Sequence, residues 1–189
     1  MMKKYLILIK HSLPKIEKDI PAAQWKLSEE GQIRVPRLAD SIKRFQPEVI
    51  VSSSETKAKE TAGIMASILQ LELHVVEGLQ EHDRSKLPYL AQEVFYAYIP
   101  EFFQKPDQLV FGSETANQAH ARFQRTVQSV LNDHPDKTVV VVTHGTVMSL
   151  FVSRLTGISD QSLWNKLGLP SFIVVDLESN ALIAQEYNV

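Results

Sequence analysis

The stretch KTVVVVTHG, residues 137–145, contains four consecutive valines. A strand that is apolar at every position has no face to offer water, so both of its sides must be covered. That pattern belongs to a parallel sheet flanked by helices rather than to a half-exposed antiparallel one. Further strand-like runs lie at residues 4–10, EVIVSS (48–53), LHVVEG (73–78), SFIVVDL (171–177) and ALIAQEY (181–187). The last two read as a closing hairpin, with Ser179-Asn180 as the turn.

Helical periodicity fills the gaps. Val35, Leu38, Ile42 and Phe45 repeat behind Ser28, a natural N-cap, while Pro36 inside the pattern predicts a kink or a later start. Ala58, Ala62, Met65 and Leu69 mark a second helix, and Ala116, Ala119, Phe123, Val127 and Val130 a third. Val147, Met148, Phe151 and Leu155 mark a fourth. Residues 84–112, rich in proline and aromatics, read as helices capping one end of the sheet. The alternation predicts an α/β protein: a three-layer α/β/α sandwich around a mostly parallel sheet, with a small helical cap region. No repeat, linker or composition break divides residues 1–189, so one domain is expected.

Charge and cysteine content narrow the function. With 20 basic against 22 acidic residues, the net charge is −2. No basic field exists to hold nucleic acid or an anionic membrane surface, so a bound anion must be gripped by a local pocket. The absence of cysteine removes disulfides, thiolate metal sites and a cysteine nucleophile together. In MMKKYLILIK, Lys10 cuts the apolar run well short of a secretory core. No segment approaches the roughly 20 apolar residues of a membrane span, and a cytoplasmic protein is expected. No pattern specifies an oligomeric state.

In such sheets ligands bind beyond the carboxyl ends of the strands. Lys10 and His11 follow the first strand, and Ser52, Ser53, Ser54 and Lys57 the second. Thr143, His144 and Gly145 follow the valine run, and Glu77, Glu81, His82, Asp83 and Arg84 the short third strand. Each has a bland reading as a boundary histidine or a solvated charge. Lys57 fits that reading poorly, because a cation in a first helical turn opposes the dipole unless it shares the site with an anion. Gly145 at a helix start lets an oxyanion approach the backbone N–H groups. The remaining histidines show no metal-ligand spacing, and P-loop, GxSxG and GxGxxG motifs are missing.

These residues resemble the histidine phosphatase superfamily, the phosphoglycerate-mutase-like fold. That family carries R-H-G at the end of a strand, a T-x-x-G-type helix start and S-S-x-x-x-R-A-x-x-T-A after the second strand. An acidic residue after L-x and a late strand ending in H-G complete its pattern. The corresponding stretches here are LIKHS (8–12), LSEEGQ (27–32), SSSETKAKETA (52–62), LQEHDRS (79–85), GSET (112–115) and VVVVTHGT (139–146), in order along almost the whole chain. The resemblance implies that His11 is the phosphorylated nucleophile, His144 the second pocket histidine and Glu81 the proton donor. It assigns phosphate binding to Lys10, Lys57, Ser12 and Gly145, and requires neither metal nor cofactor. Lys10 and Lys57 stand where the family has arginine, and Ser12 where it has glycine.

Lysine is a movable point charge where arginine offers a planar fork. Losing about one charge-assisted hydrogen bond of roughly 1.5–3 kcal/mol at each position would slow catalysis ~100-fold or more. Two facing cations would also depress each other's pKa, so activity is expected to fall at mildly alkaline pH. Glu81 with a raised pKa would protonate the leaving oxygen, and a protonated His144 would help hold the phosphate. The substrate would be a small phosphorylated compound or a phosphoprotein, selected by the 84–112 region with contributions from Arg84 and His82. Its aromatic residues would line that region or simply pack it onto the sheet. A phosphoglycerate-mutase-type transferase and a non-catalytic phosphate-binding module are the alternatives.

Overall fold

The computed structural model describes residues 4–189. Six strands form one sheet: β1 (Tyr5–Lys10), β2 (Val49–Ser52), β3 (Leu73–Val75), β4 (Val139–Thr143), β5 (Ser171–Asp176) and β6 (Leu182–Glu186). Their order is β3-β2-β4-β1-β5-β6. The valine strand β4 is buried at every position and sits between β2 and β1, parallel to both. β3 joins β2 in parallel, whereas β5 runs antiparallel to β1 and forms the expected hairpin with β6. Asn180 adopts the left-handed conformation in that hairpin turn.

The pleat sorts each strand between two cores. Ile7, Ile9, Ile50, Val140 and Val142 face α1 (Glu29–Ile42) and α2 (Thr56–Leu69). Leu6, Leu8, Val51, Val139 and Val141 face the other layer. That layer consists of α3 (Gln92–Gln104), α4 (Ala116–Asp133), α5 (Gly145–Thr156) and α6 (Asp160–Lys166). The three-layer α/β/α sandwich follows from this alternation.

Local expectations need three adjustments. α1 starts directly after its Ser28 cap, which accepts the Gly31 N–H at 3.0 Å, and runs unbroken through the exposed Pro36. Phe45 falls outside it, in the 3-10 turn Lys43–Phe45. Residues 84–112 hold one helix, α3, not several. Phe102 and Phe103 of that helix are buried against the sheet, so they pack rather than line a cleft.

Candidate active site

The parallel set β1–β4 ends at one rim, because the register aligns Lys10 with Thr143, and Ser52 with both Val142 and Val75. The chain leaving β1 is pinned there. The Ser12 N–H donates to Thr61 Oγ1 at 3.0 Å and the Ser12 hydroxyl to the Gly31 carbonyl at 2.7 Å. Ser12, expected among the phosphate ligands, spends both groups on this frame. Gly31 is required by close approach, since a Cβ there would lie 2.1 Å from the Leu13 carbonyl oxygen.

This frame fixes His11. Its Nδ1 lies 2.8 Å from the Ser12 carbonyl oxygen, which can only accept, so Nδ1 carries the proton and Nε2 is the free nitrogen. Burial, His144 and Lys57 hold the His11 pKa well below its ordinary value, and the ring is neutral at pH 7. The His144 ring lies 5.1 Å away, tilted by 62°. Its Nε2 is 2.8 Å from Ser53 Oγ, and its buried Nδ1 has no hydrogen-bond partner among the described residues. His144 was expected to be protonated. Burial foremost, with Lys57 next, pushes its pKa down, so it is neutral in the free protein.

Lys57 stands in the first turn of α2, and the anion its position demanded is Glu55 at the N-cap. The buried Glu55 carboxylate pairs with the Lys57 ammonium, which also donates to the Ala22 carbonyl at 2.9 Å. Glu55 Oε1 accepts the Glu81 backbone N–H at 2.8 Å and lies 3.6 Å from His144 Nε2. Burial alone would raise the Glu55 pKa, but the Lys57 charge and hydrogen bond bring it below the ordinary carboxylate value. Glu55 is not among the residues that the sequence pattern singles out. Nothing in its spacing from Lys57 separates a pocket carboxylate from a solvated one at a helix start.

Glu81 reaches the same rim with a different job. Its carboxylate accepts the N–H groups of Thr146 at 3.1 Å, Val147 at 3.3 Å and His82 at 2.9 Å, so it caps the start of α5. The raised pKa expected of an acid is absent. Burial pushes upward, but His144, Arg84 and these N–H donors outweigh it, and Glu81 stays ionised. Lys10 packs its stem against Gly145, where an added Cβ would lie 3.1 Å from Cε, and its ammonium donates to the Leu167 carbonyl at 2.7 Å.

Arg84 lies over the Phe95 ring, 4.4 Å from its centroid, close enough for its charge to act on Glu81 and His144. His82 is turned away from the rim, packed between Phe102 and Phe111 with Nε2 on the Glu114 carbonyl. Arg122, unnoticed in the sequence, holds the loop that carries Glu81. It donates to the carbonyls of Gly78 and Gln80 at 2.9 Å and of Glu81 at 3.1 Å while paired with Glu114.

Among the described residues no group of three or more His, Asp or Glu side chains is placed to hold a metal ion, and no helix is long and apolar enough to cross a membrane. The rim gathers two neutral imidazoles, two lysines and two carboxylates: His11, His144, Lys10, Lys57, Glu55 and Glu81. In sequence the chain is 26% identical to phosphoserine phosphatase 1 of Hydrogenobacter thermophilus over 169 residues, 86% of this chain and 80% of that protein. In fold it is similar to phosphoserine phosphatase of Entamoeba histolytica bound to 3-phosphoglyceric acid, with a TM-score of 0.77, 20% identity and coverage of 98% and 97%. It is likewise similar to mycobacterial glucosyl-3-phosphoglycerate phosphatase, with a TM-score of 0.76, 20% identity and coverage of 98% of both chains. The family model described as histidine phosphatase superfamily (branch 1) matches residues 11–189, and the chain belongs to that superfamily.

Proposed function

We propose that this chain is a phosphomonoester hydrolase that works through a phosphohistidine on His11. The observation that carries this reading is the His11 tautomer: a neutral ring, protonated at Nδ1 by its bond to the Ser12 carbonyl, with Nε2 free to attack phosphorus. The P–Nε2 bond forms as the ester P–O bond breaks, and water then cleaves the P–N bond. Lys57 and the His144 N–H supply electrostatic stabilisation, and Lys10 adds charge from behind Gly145. The leaving oxygen needs a proton. Glu81, the donor the resemblance names, is ionised in the free protein, so a carboxyl must be charged with a proton as substrate binds.

The relatives named for phosphoserine and glucosyl-3-phosphoglycerate act on small monoesters that also carry a carboxylate. We take that class as the substrate, with Arg84 placed to meet the second anion and residues 84–112 covering the rim of a single domain. A second reading, a phosphate-binding module without turnover, is supported by the engagement of Lys57 with Glu55 and of Lys10 with the Leu167 carbonyl. The test is a phosphatase screen with wild type, His11→Ala and Lys10→Arg/Lys57→Arg. Turnover with an acid-labile, base-stable phosphoenzyme that is lost in His11→Ala is expected. Phosphate binding with neither turnover nor labelling would select the second reading.

A further inference from the structure

Both carboxylates at the rim are ionised in the free protein, but they are not equally committed. Glu81 accepts three backbone N–H groups, two of them at the positive end of α5. Glu55 holds the Glu81 N–H and the Lys57 ammonium, and Lys57 is a cation the phosphate would claim. When an anion takes Lys57, Glu55 becomes a buried carboxylate beside a dianion with its main counter-charge gone. Two anions in a dry site cannot both stay ionised at low cost, and one shared proton resolves the conflict.

We propose that Glu55 is the proton-accepting group of the phosphate pocket: the entering phosphate displaces its carboxylate from Lys57, and Glu55 takes up one proton from solvent as the anion binds. The inference rests on the phosphate-pocket part of the function proposed above. Four groups face Glu55 from the elements around it: Lys57 of α2, His11 beyond β1, His144 before α5 and Glu81 in the loop after β3. Lys10 and Arg84, whose charges couple to Glu81, complete the charges of the rim. The imidazoles compete poorly for the proton, because each is buried and lies in the field of Lys57. Glu81 competes poorly because protonation would weaken its hold on α5. A protonated Glu55 then points an O–H toward the bound anion, where the leaving oxygen needs one.

Sodium sulfate is the probe, since it remains a dianion at neutral pH and is not turned over. Calorimetric titrations in buffers of differing ionisation enthalpy near pH 7 count the protons. Wild type is expected to take up about one proton per sulfate, its Kd rising about 10-fold per pH unit between about pH 6 and pH 7.5. Glu55→Gln is expected to take up none, to show a nearly flat Kd, and to bind about 10-fold tighter at about pH 7.5. Binding by wild type without proton uptake overturns the proposal, and that measurement needs no variant. Uptake that persists in Glu55→Gln, or that vanishes instead in Glu81→Gln, overturns it as well. Absence of sulfate and phosphate binding in wild type and both variants removes the phosphate pocket itself, and Glu55's role with it.

Discussion

Lys10 leaves β1 with its ammonium on the Leu167 carbonyl, and burial brings its pKa down to about 8 against the pull of Glu81. Repulsion between Lys10 and Lys57 was the expected cause of such a shift; desolvation is the cause the structure supplies. The sign for activity is direct. Below about pH 8 Lys10 is charged and supports an anion at the rim; above it the charge is lost. The profile of kcat/KM reports groups of the free enzyme. Its alkaline limb is therefore expected to steepen by one further log unit per pH unit above about pH 8, and in Lys10→Arg that extra steepening should vanish. A limb of unchanged slope through pH 10 in wild type would show that the charge of Lys10 is not used. The histidines and lysines of the site were legible as residues at strand ends. Glu55 was not, because a carboxylate beside a lysine at a helix start looks the same in sequence whether it faces water or a pocket.

The start of α5 is where one element depends on another far away. Glu81 supplies the cap for α5 from 65 residues earlier, and Arg122 of α4 holds Glu81 in position by gripping three carbonyls of its loop. Such long-range caps leave no local spacing, which is why Glu81 suggested an acid and Arg122 went unnoticed. By contrast, Ser28 and the buried face of α4 obey i, i+3 and i+4 rules and were readable. Glu81→Gln keeps the shape but loses the charge, at a cost of about 1 kcal/mol at pH 7. The folded pKa of Glu81 is depressed, so its contribution is present above the unfolded carboxylate value and is lost as pH falls through the folded one. The Tm gap between wild type and Glu81→Gln should therefore shrink from pH 7 to about pH 3; a constant gap would mean that shape alone matters. Arg122→Leu strands Glu114 and three carbonyls and should cost about 2–3 kcal/mol. In hydrogen exchange, faster exchange should be concentrated in residues 78–84.

At the scale of the molecule, four segments distant in sequence meet because β1, β2, β3 and β4 run the same way and end together. The valine run made that parallel core legible, and with it the rim. The neighbour order was not legible: nothing in SFIVVDL says that β5 will pair antiparallel with β1 rather than extend the parallel set. The 84–112 region was misjudged in helix number because its aromatic residues serve two ends, packing α3 onto the sheet and stacking Phe95 beneath Arg84. Under the proposed function, that second use is what would set selectivity among monoesters. A guanidinium held on an aromatic face is preorganised for a carboxylate, and one charge-assisted hydrogen bond of about 1.5–3 kcal/mol corresponds to at least 10-fold in affinity. Arg84→Leu is therefore expected to raise KM about 10-fold or more for monoesters bearing a carboxylate, such as phosphoserine. KM for p-nitrophenyl phosphate should stay within about 2-fold. Arg84 also biases Glu81 and His144, and loss of that field would change both substrates alike. The ratio of the two KM changes thus separates contact with substrate from action through the pocket, and a ratio near unity would assign Arg84 to the second role.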